Sequence, residues 1–227
     1  MKIVLLLTWL AIPVGWLGFH YGPGQEALKL DVSDRSVMEA LTADNTEDQL
    51  KAWDAAIAAL PKSATAQAQR LRLARCEVLA QGRQLPQARK ELEALYSELK
   101  EDPKAEVAVF ERVQEELAGA KYYMTWLMRL EGLPQEEWEP EIESARQHFR
   151  HLAEKGTTGK ERYQGKLESA IRLARMDLTE LQGQPLPGCC NGCCSGKCNK
   201  PAKKPMDKKP KDSRNAGGSQ AIGTEGS

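Results

Sequence analysis

Aromatic side chains make up only 6% of this chain and histidine occurs three times, so two common resources for recognition and catalysis are thin. A sheet protein would draw on aromatic and β-branched residues. Here alanine and leucine dominate the apolar set over valine and isoleucine, the bias of an all-helical body. The same composition argues against a coiled-coil rod and a multi-span membrane protein. Net charge is also missing, since 32 Lys and Arg balance 32 Asp and Glu. Motifs for chemistry are absent too. No G-x-S-x-G elbow, phosphate loop or H-E-x-x-H occurs, no catalytic constellation is legible, and the chain is not read as an enzyme.

What is present separates into two unusual ends and a middle. Residues 3–19, IVLLLTWLAIPVGWLGF, carry no charge and follow Lys2. At the helical rise of 1.5 Å per residue they span roughly 25 Å, a little short of the bilayer's hydrocarbon core. His20 and Tyr21 complete the crossing at the interface, where aromatic rings are favoured. The small residues of a signal-peptidase site are missing after Gly15, so residues 1–21 are expected to form an uncleaved signal-anchor. Secretion after cleavage is the alternative. Either way Lys2 holds the short end in the cytoplasm and the body lies outside it, making a single-pass membrane protein with a periplasmic or otherwise extracytoplasmic domain. Residues 22–32, with Gly22, Pro23 and Gly24, are expected to be a linker.

The other end, residues 185–227, is rich in glycine, proline, lysine and cysteine, holds no aromatic, and is expected to be disordered. Seven lysines and Arg214 against Asp207, Asp212 and Glu225 give it +5, which leaves −5 on residues 1–184 of a neutral chain. Solubility near a surface and an electrostatic arm for an acidic partner are both open readings. Nucleic acid is excluded as a partner by the extracytoplasmic placement.

The middle, residues 33–184, reads as helices. Leu50, Trp53, Ile57 and Leu60 share one face of a helix that Thr46 caps and Pro61 ends. Residues 64–81 form the next, closed by Gly82. Pro86 stands in the first turn of a third, with Ala88, Leu92, Leu95 and Leu99 inward. Residues 105–130 make a long helix with Val109, Val113, Leu117, Tyr123 and Trp126 among its inward side chains. Glu139 and Pro140 open a fifth, on which Ile142, Ala145, Phe149 and Leu152 face one way. The cluster Glu136, Glu137, Glu139, Glu141 and Glu143 is read as the favourable charge at a helix start. Residues 160–181 close the body with a polar outer side.

These hairpins resemble the tetratricopeptide repeat. Trp53 with Ala56 and Pro61, Ala88 with Leu92 and Leu95, and Ala145 with Phe149 and Leu152 are similar to the family's second helices. Gly82, and Gly119 with Tyr122, resemble glycines and a tyrosine of its first helices. The match covers about residues 37–155. It implies antiparallel hairpins stacked as a short solenoid, whose first helices line a surface that grips a protein or peptide. Under that resemblance Arg70, Arg72, Arg75 and Arg83 are candidate partner contacts. The favoured function is therefore a membrane-anchored adaptor or scaffold. Its oligomeric state is not legible.

The remaining candidate chemistry is the run GCCNGCCSGKC. Cys189 and Cys190, then Cys193 and Cys194, form doublets two residues apart, with Cys198 following. Five thiols so close suit a soft cation, zinc or copper(I), and Lys197 and Lys200 would favour the thiolates. Disulfides formed outside the cytoplasm compete with that reading, as does a cluster without a defined role. A metal-binding or redox protein acting through this tail is thus the second functional reading. Cys76 reads as a small buried residue, and His148 and His151, flanking an apolar face, read as structural.

Overall fold

A computed structural model describes residues 9, 11–14, 16, 18, 19 and 23–183. The tail and its cysteines at 189–198 lie outside these. Eight helices follow one another among residues 23–183: α1 Pro23–Thr42, α2 Thr46–Ala59, α3 Thr65–Gln81, α4 Leu85–Glu101, α5 Val107–Leu130, α6 Gln135–Lys155, α7 Lys160–Arg175 and α8 Leu178–Gln182. No strand occurs among the described residues. Each helix from α1 to α6 packs on the next, α3 also touches α5, and α8 lies against α5. The all-helical class read from composition is what the molecule has.

Local chemistry explains most boundaries. Asn45, rather than Thr46, caps α2, its side-chain oxygen accepting from the Asp48 backbone N–H at 2.8 Å. Pro86 sits in the first turn of α4, where its missing N–H costs no bond. Between α3 and α4, Gly82 is needed for space, because a Cβ there would stand 2.4 Å from the Thr46 methyl. The left-handed position of that turn falls on its neighbour Arg83, with φ 64°.

Three boundaries differ from expectation. Residues 23–32, expected as a linker, are helical, since Pro23 suits a first turn as well as a break. Pro140 lies inside α6, which begins at Gln135 with Glu136 and Glu137 in its first turn. The last expected helix is split in two. Met176 is extended, and Asp177 then caps α8 by accepting from the Glu180 N–H at 2.7 Å.

The apolar core runs along the chain as three linked clusters. Ala40, Trp53, Ala56 and Leu71 form the first; Cys76, Leu92, Leu95, Val113 and Leu117 the second; Trp126, Ile142, Phe149, Leu167, Leu173 and Leu181 the third. Small side chains set the close approach of α1 to α2, where the buried Ser33 hydroxyl donates to the Ala56 carbonyl at 2.9 Å.

Among the described residues no helix is long and apolar enough to cross a membrane, and much of the expected anchor lies outside them. The large apolar side chains described in that stretch, Trp9, Ile12, Val14, Trp16 and Phe19, are all exposed.

Candidate partner-binding face

Helix α5 is the central element. From Val109 to Leu130 none of its residues is exposed; α3, α4, α6 and α8 pack on it, and α7 reaches it through side chains. Its apolar positions Val113 and Leu117 face α4, as the sequence pattern requires. Several polar residues are buried beside them, Gln114, Glu115, Lys121 and Thr125. Burial of a charge demands partners, and each of the two charged residues has them.

Glu115 lies between α5 and α7. Its carboxylate accepts from Lys166 Nζ at 2.6 Å, Arg162 Nη2 at 2.8 Å and the Tyr163 hydroxyl at 3.1 Å. Arg112 Nη1 stands 3.6 Å away. Burial opposes its ionisation, but the Lys166 hydrogen bond and the charges of Lys166, Arg162 and Arg112 outweigh that and hold the carboxyl below its ordinary range. Glu116, the next residue, goes the other way. Burial raises it, Arg112 only partly opposes, and Glu77 and Glu115 add repulsion. Arg112 also donates to Glu77 of α3, at 3.1 and 3.2 Å. The result is a polar seam joining α3, α5 and α7.

A second network holds the other side of α5. Lys121 donates to Glu93 of α4 at 2.7 Å, and Arg89 of α4 reaches Glu141 of α6 at 2.8 Å. His148 stands edge-on to the Tyr96 ring, centroids 4.9 Å apart. Burial, then the nearby charges of Lys121 and His151, pull its pKa down to about 4. Gln114 lies within 3.2 Å of His151 Nδ1. Among the described residues no group of three or more His, Cys, Asp or Glu is placed to hold a metal. Cys76 is buried, which pushes its thiol up to about 12.

Beside the α3–α5–α7 seam the surface opens. Gly119 of α5 follows Arg112 by seven residues and Glu116 by three, which puts it on their side of the helix. A Cβ built on Gly119 meets nothing within 4 Å, and the same holds for Gly165 of α7, one turn beyond Arg162. Neither glycine is required by packing, and each costs its helix about 1 kcal/mol relative to alanine. Tyr122 and Tyr123 border this opening on α5, Ser169 and Arg172 on α7, by the same spacing. No protein group pairs with Arg172 among the described residues, although its charge acts on the Tyr122 hydroxyl.

The four arginines expected at a partner surface do not act together. Arg70 pairs with Glu106, Arg72 with Glu98, and Arg75 with both Asp54 and Glu91. Arg75 is largely covered, with 17% of its side chain accessible, and links α3 to α2 and α4. Arg83 is exposed in the α3–α4 turn. Among the described residues there are also shallow grooves, the first of them sharing Arg172 with the opening beside the seam. One of about 420 Å³ lies between α7 and α8 around Ile171, Arg172, Arg175 and Met176. One of about 330 Å³ lies at the α4–α5 turn around Leu99, Val107 and Phe110. Neither contains a nucleophile beside a base. Neither a protein-family model, nor a curated protein, nor a solved structure matches this chain.

Proposed function

We propose that this protein is a membrane-anchored adaptor in which hairpins α1–α2, α3–α4 and α5–α6, closed by α7, stack as a short solenoid resembling tetratricopeptide repeats. The partner is another extracytoplasmic protein, bound across α3, α5 and α7. The observation that carries the proposal is the open, glycine-bearing side of α5 and α7. Gly119 and Gly165 leave room for close approach of a second backbone, next to a seam whose charges are already neutralised within the chain. The anchor is residues 1–21, supported by the uncharged run after Lys2 and by the exposure of Trp9, Ile12, Val14 and Phe19.

Two substitutions test the face. Gly119→Ala should raise stability by about 0.5–1 kcal/mol, because an open helical position gains from losing glycine. Gly119→Arg, equally tolerated by the helix, should abolish capture of the partner identified by crosslinking the parent chain in its native membrane. A Gly119→Arg protein that folds and still captures that partner at parental yield would refute the assigned face.

A further inference from the structure

The adaptor role leaves unused the run GCCNGCCSGKC, whose cysteines lie outside the described residues. It holds five of the chain's six cysteines, Cys189, Cys190, Cys193, Cys194 and Cys198. The sixth is set apart by the fold. Cys76 of α3 is 1% accessible, its sulfur is 3.9 Å from Glu91 Oε2, and burial pushes its thiol up to about 12. A buried, neutral thiol is inert as a ligand and in disulfide exchange, so the tail thiols act as a set of five.

The composition around them favours thiolates. Residues 181–206 include no Asp, Glu or His, but they include Lys197, Lys200, Lys203 and Lys204. Nearby ammonium groups lower thiol pKa values and offset thiolate charge, whereas a neutral disulfide gains nothing from them. The doublets point the same way. Adjacent Cα atoms stand about 3.8 Å apart, short of the roughly 4.4–6.8 Å that a disulfide spans, so neither Cys189 with Cys190 nor Cys193 with Cys194 is a favourable bridge. Bridges across Asn191 and Gly192 are open, but with Cys76 withdrawn the thiols are odd in number. A fully oxidised chain therefore keeps one for a second chain.

The spacers suit a chelate. Two residues separate Cys190 from Cys193 and three separate Cys194 from Cys198, both within the gap of about two to four residues found between paired zinc thiolates. Each spacer contains a glycine, Gly192 or Gly196, which admits a tight turn. No proline falls between Cys189 and Cys198, although Pro185, Pro187, Pro201 and Pro205 flank the run. Hard cations find no carboxylate here, and the donor set is that of a soft d10 ion.

We propose that residues 189–198 hold one zinc ion on the thiolates of Cys190, Cys193, Cys194 and Cys198. Two short-spaced pairs complete four-coordination, and Cys189 is the thiol left over. Four thiolates on zinc carry a net charge of about −2, which the following lysines balance. This inference stands without the anchor and adaptor readings. Outside the cytoplasm the rival fate of the thiols is oxidation, and the native state separates the two.

The full-length chain is isolated without oxygen from its own cells, one portion being alkylated at lysis, and metal is counted per chain by mass spectrometry. About one zinc is expected, with the tail thiols reactive once the protein is unfolded in a chelator without reductant. Against a chromophoric chelator, Cys190→Ser, Cys193→Ser, Cys194→Ser and Cys198→Ser should each weaken zinc retention about tenfold or more, while Cys189→Ser keeps the parental value. Tail thiols that become reactive only after reduction, in a chain without zinc, overturn the site in favour of disulfides. Copper, or iron with inorganic sulfide, in place of zinc overturns the ion assigned. Equal losses in all five variants overturn the ligand set.

Discussion

Replacing Glu115 by glutamine keeps the size of the side chain and removes one buried charge. Its carboxylate is 4% accessible, whereas Lys166 and Arg162 are 38% and 55% accessible. Breaking a buried ion pair costs about 3–5 kcal/mol when the orphaned partner stays buried. Both cations here can turn to water, so most of that penalty is relieved. What remains is the loss of charge-assisted hydrogen bonds from Lys166, Arg162 and the buried Tyr163 hydroxyl, together about 2 kcal/mol. For a body of this size that lowers the melting temperature by about 4–8 °C. Urea unfolding followed by helicity at pH 7 measures it. The pH dependence adds a second check. Because the folded carboxyl titrates below its unfolded value, its stabilisation is complete above the unfolded pKa and is lost as pH falls through the folded one. The gap between parent and Glu115→Gln should therefore narrow from pH 5 downward. Glu116→Gln is the internal contrast: burial already disfavours its charge, and the change should stay within about 0.5 kcal/mol. If Glu115→Gln lies within 0.5 kcal/mol of the parent, or if the gap widens in acid, the seam is not held by this carboxylate.

Two further outcomes follow from the packing. Trp53→Ala and Phe149→Ala, at 6% and 3% accessibility in different clusters, should each cost about 3–5 kcal/mol by denaturant unfolding; parental midpoints for both would remove them from the core. His148, held down to about 4 by burial and by Lys121 and His151, binds its proton in the unfolded chain first. Its stabilisation is thus complete above about pH 6.5 and declines as pH falls toward 4. His148→Gln should flatten that slope, and an unchanged slope would assign it to other groups.

The helices that the sequence shows clearly are those with one neighbour type on each side. On α6, Ile142, Ala145, Phe149 and Leu152 are all buried, and on α4 so are Ala88, Leu92, Leu95 and Leu99. Both helices present one apolar face and one wet face, and period alone describes them. On α7, Tyr163, Leu167, Ala170 and Leu173 are buried and Ile171 is partly covered, while Leu178 is exposed beyond the break at Met176. Helix α1 was not legible as an amphipathic helix at all. Its buried positions are Ser33 and Ala40, and its larger apolar residues point outward.

The same limit governs the candidate site. Arg70, Arg72 and Arg75 look like one basic stripe when α3 is considered alone, since a sequence shows which residues share a helix but not which carboxylates arrive from other helices. Glu106, Glu98, Glu91 and Asp54 come from flanking segments 16–36 residues away; the first two pair with Arg70 and Arg72, and the last two share Arg75. Glu115 shows the converse. In sequence it is one of many glutamates, in a segment where Glu111, Glu115 and Glu116 would all pass for surface. Only the arrival of Tyr163 and Lys166 from α7 makes it the buried one. A central helix is contacted by several others, so its polar residues are sorted by their neighbours rather than by period. Gly119 was the one residue on that helix whose type was a usable signal. A glycine within a helix weakens it wherever it stands, and a Cβ built on Gly119 meets nothing within 4 Å.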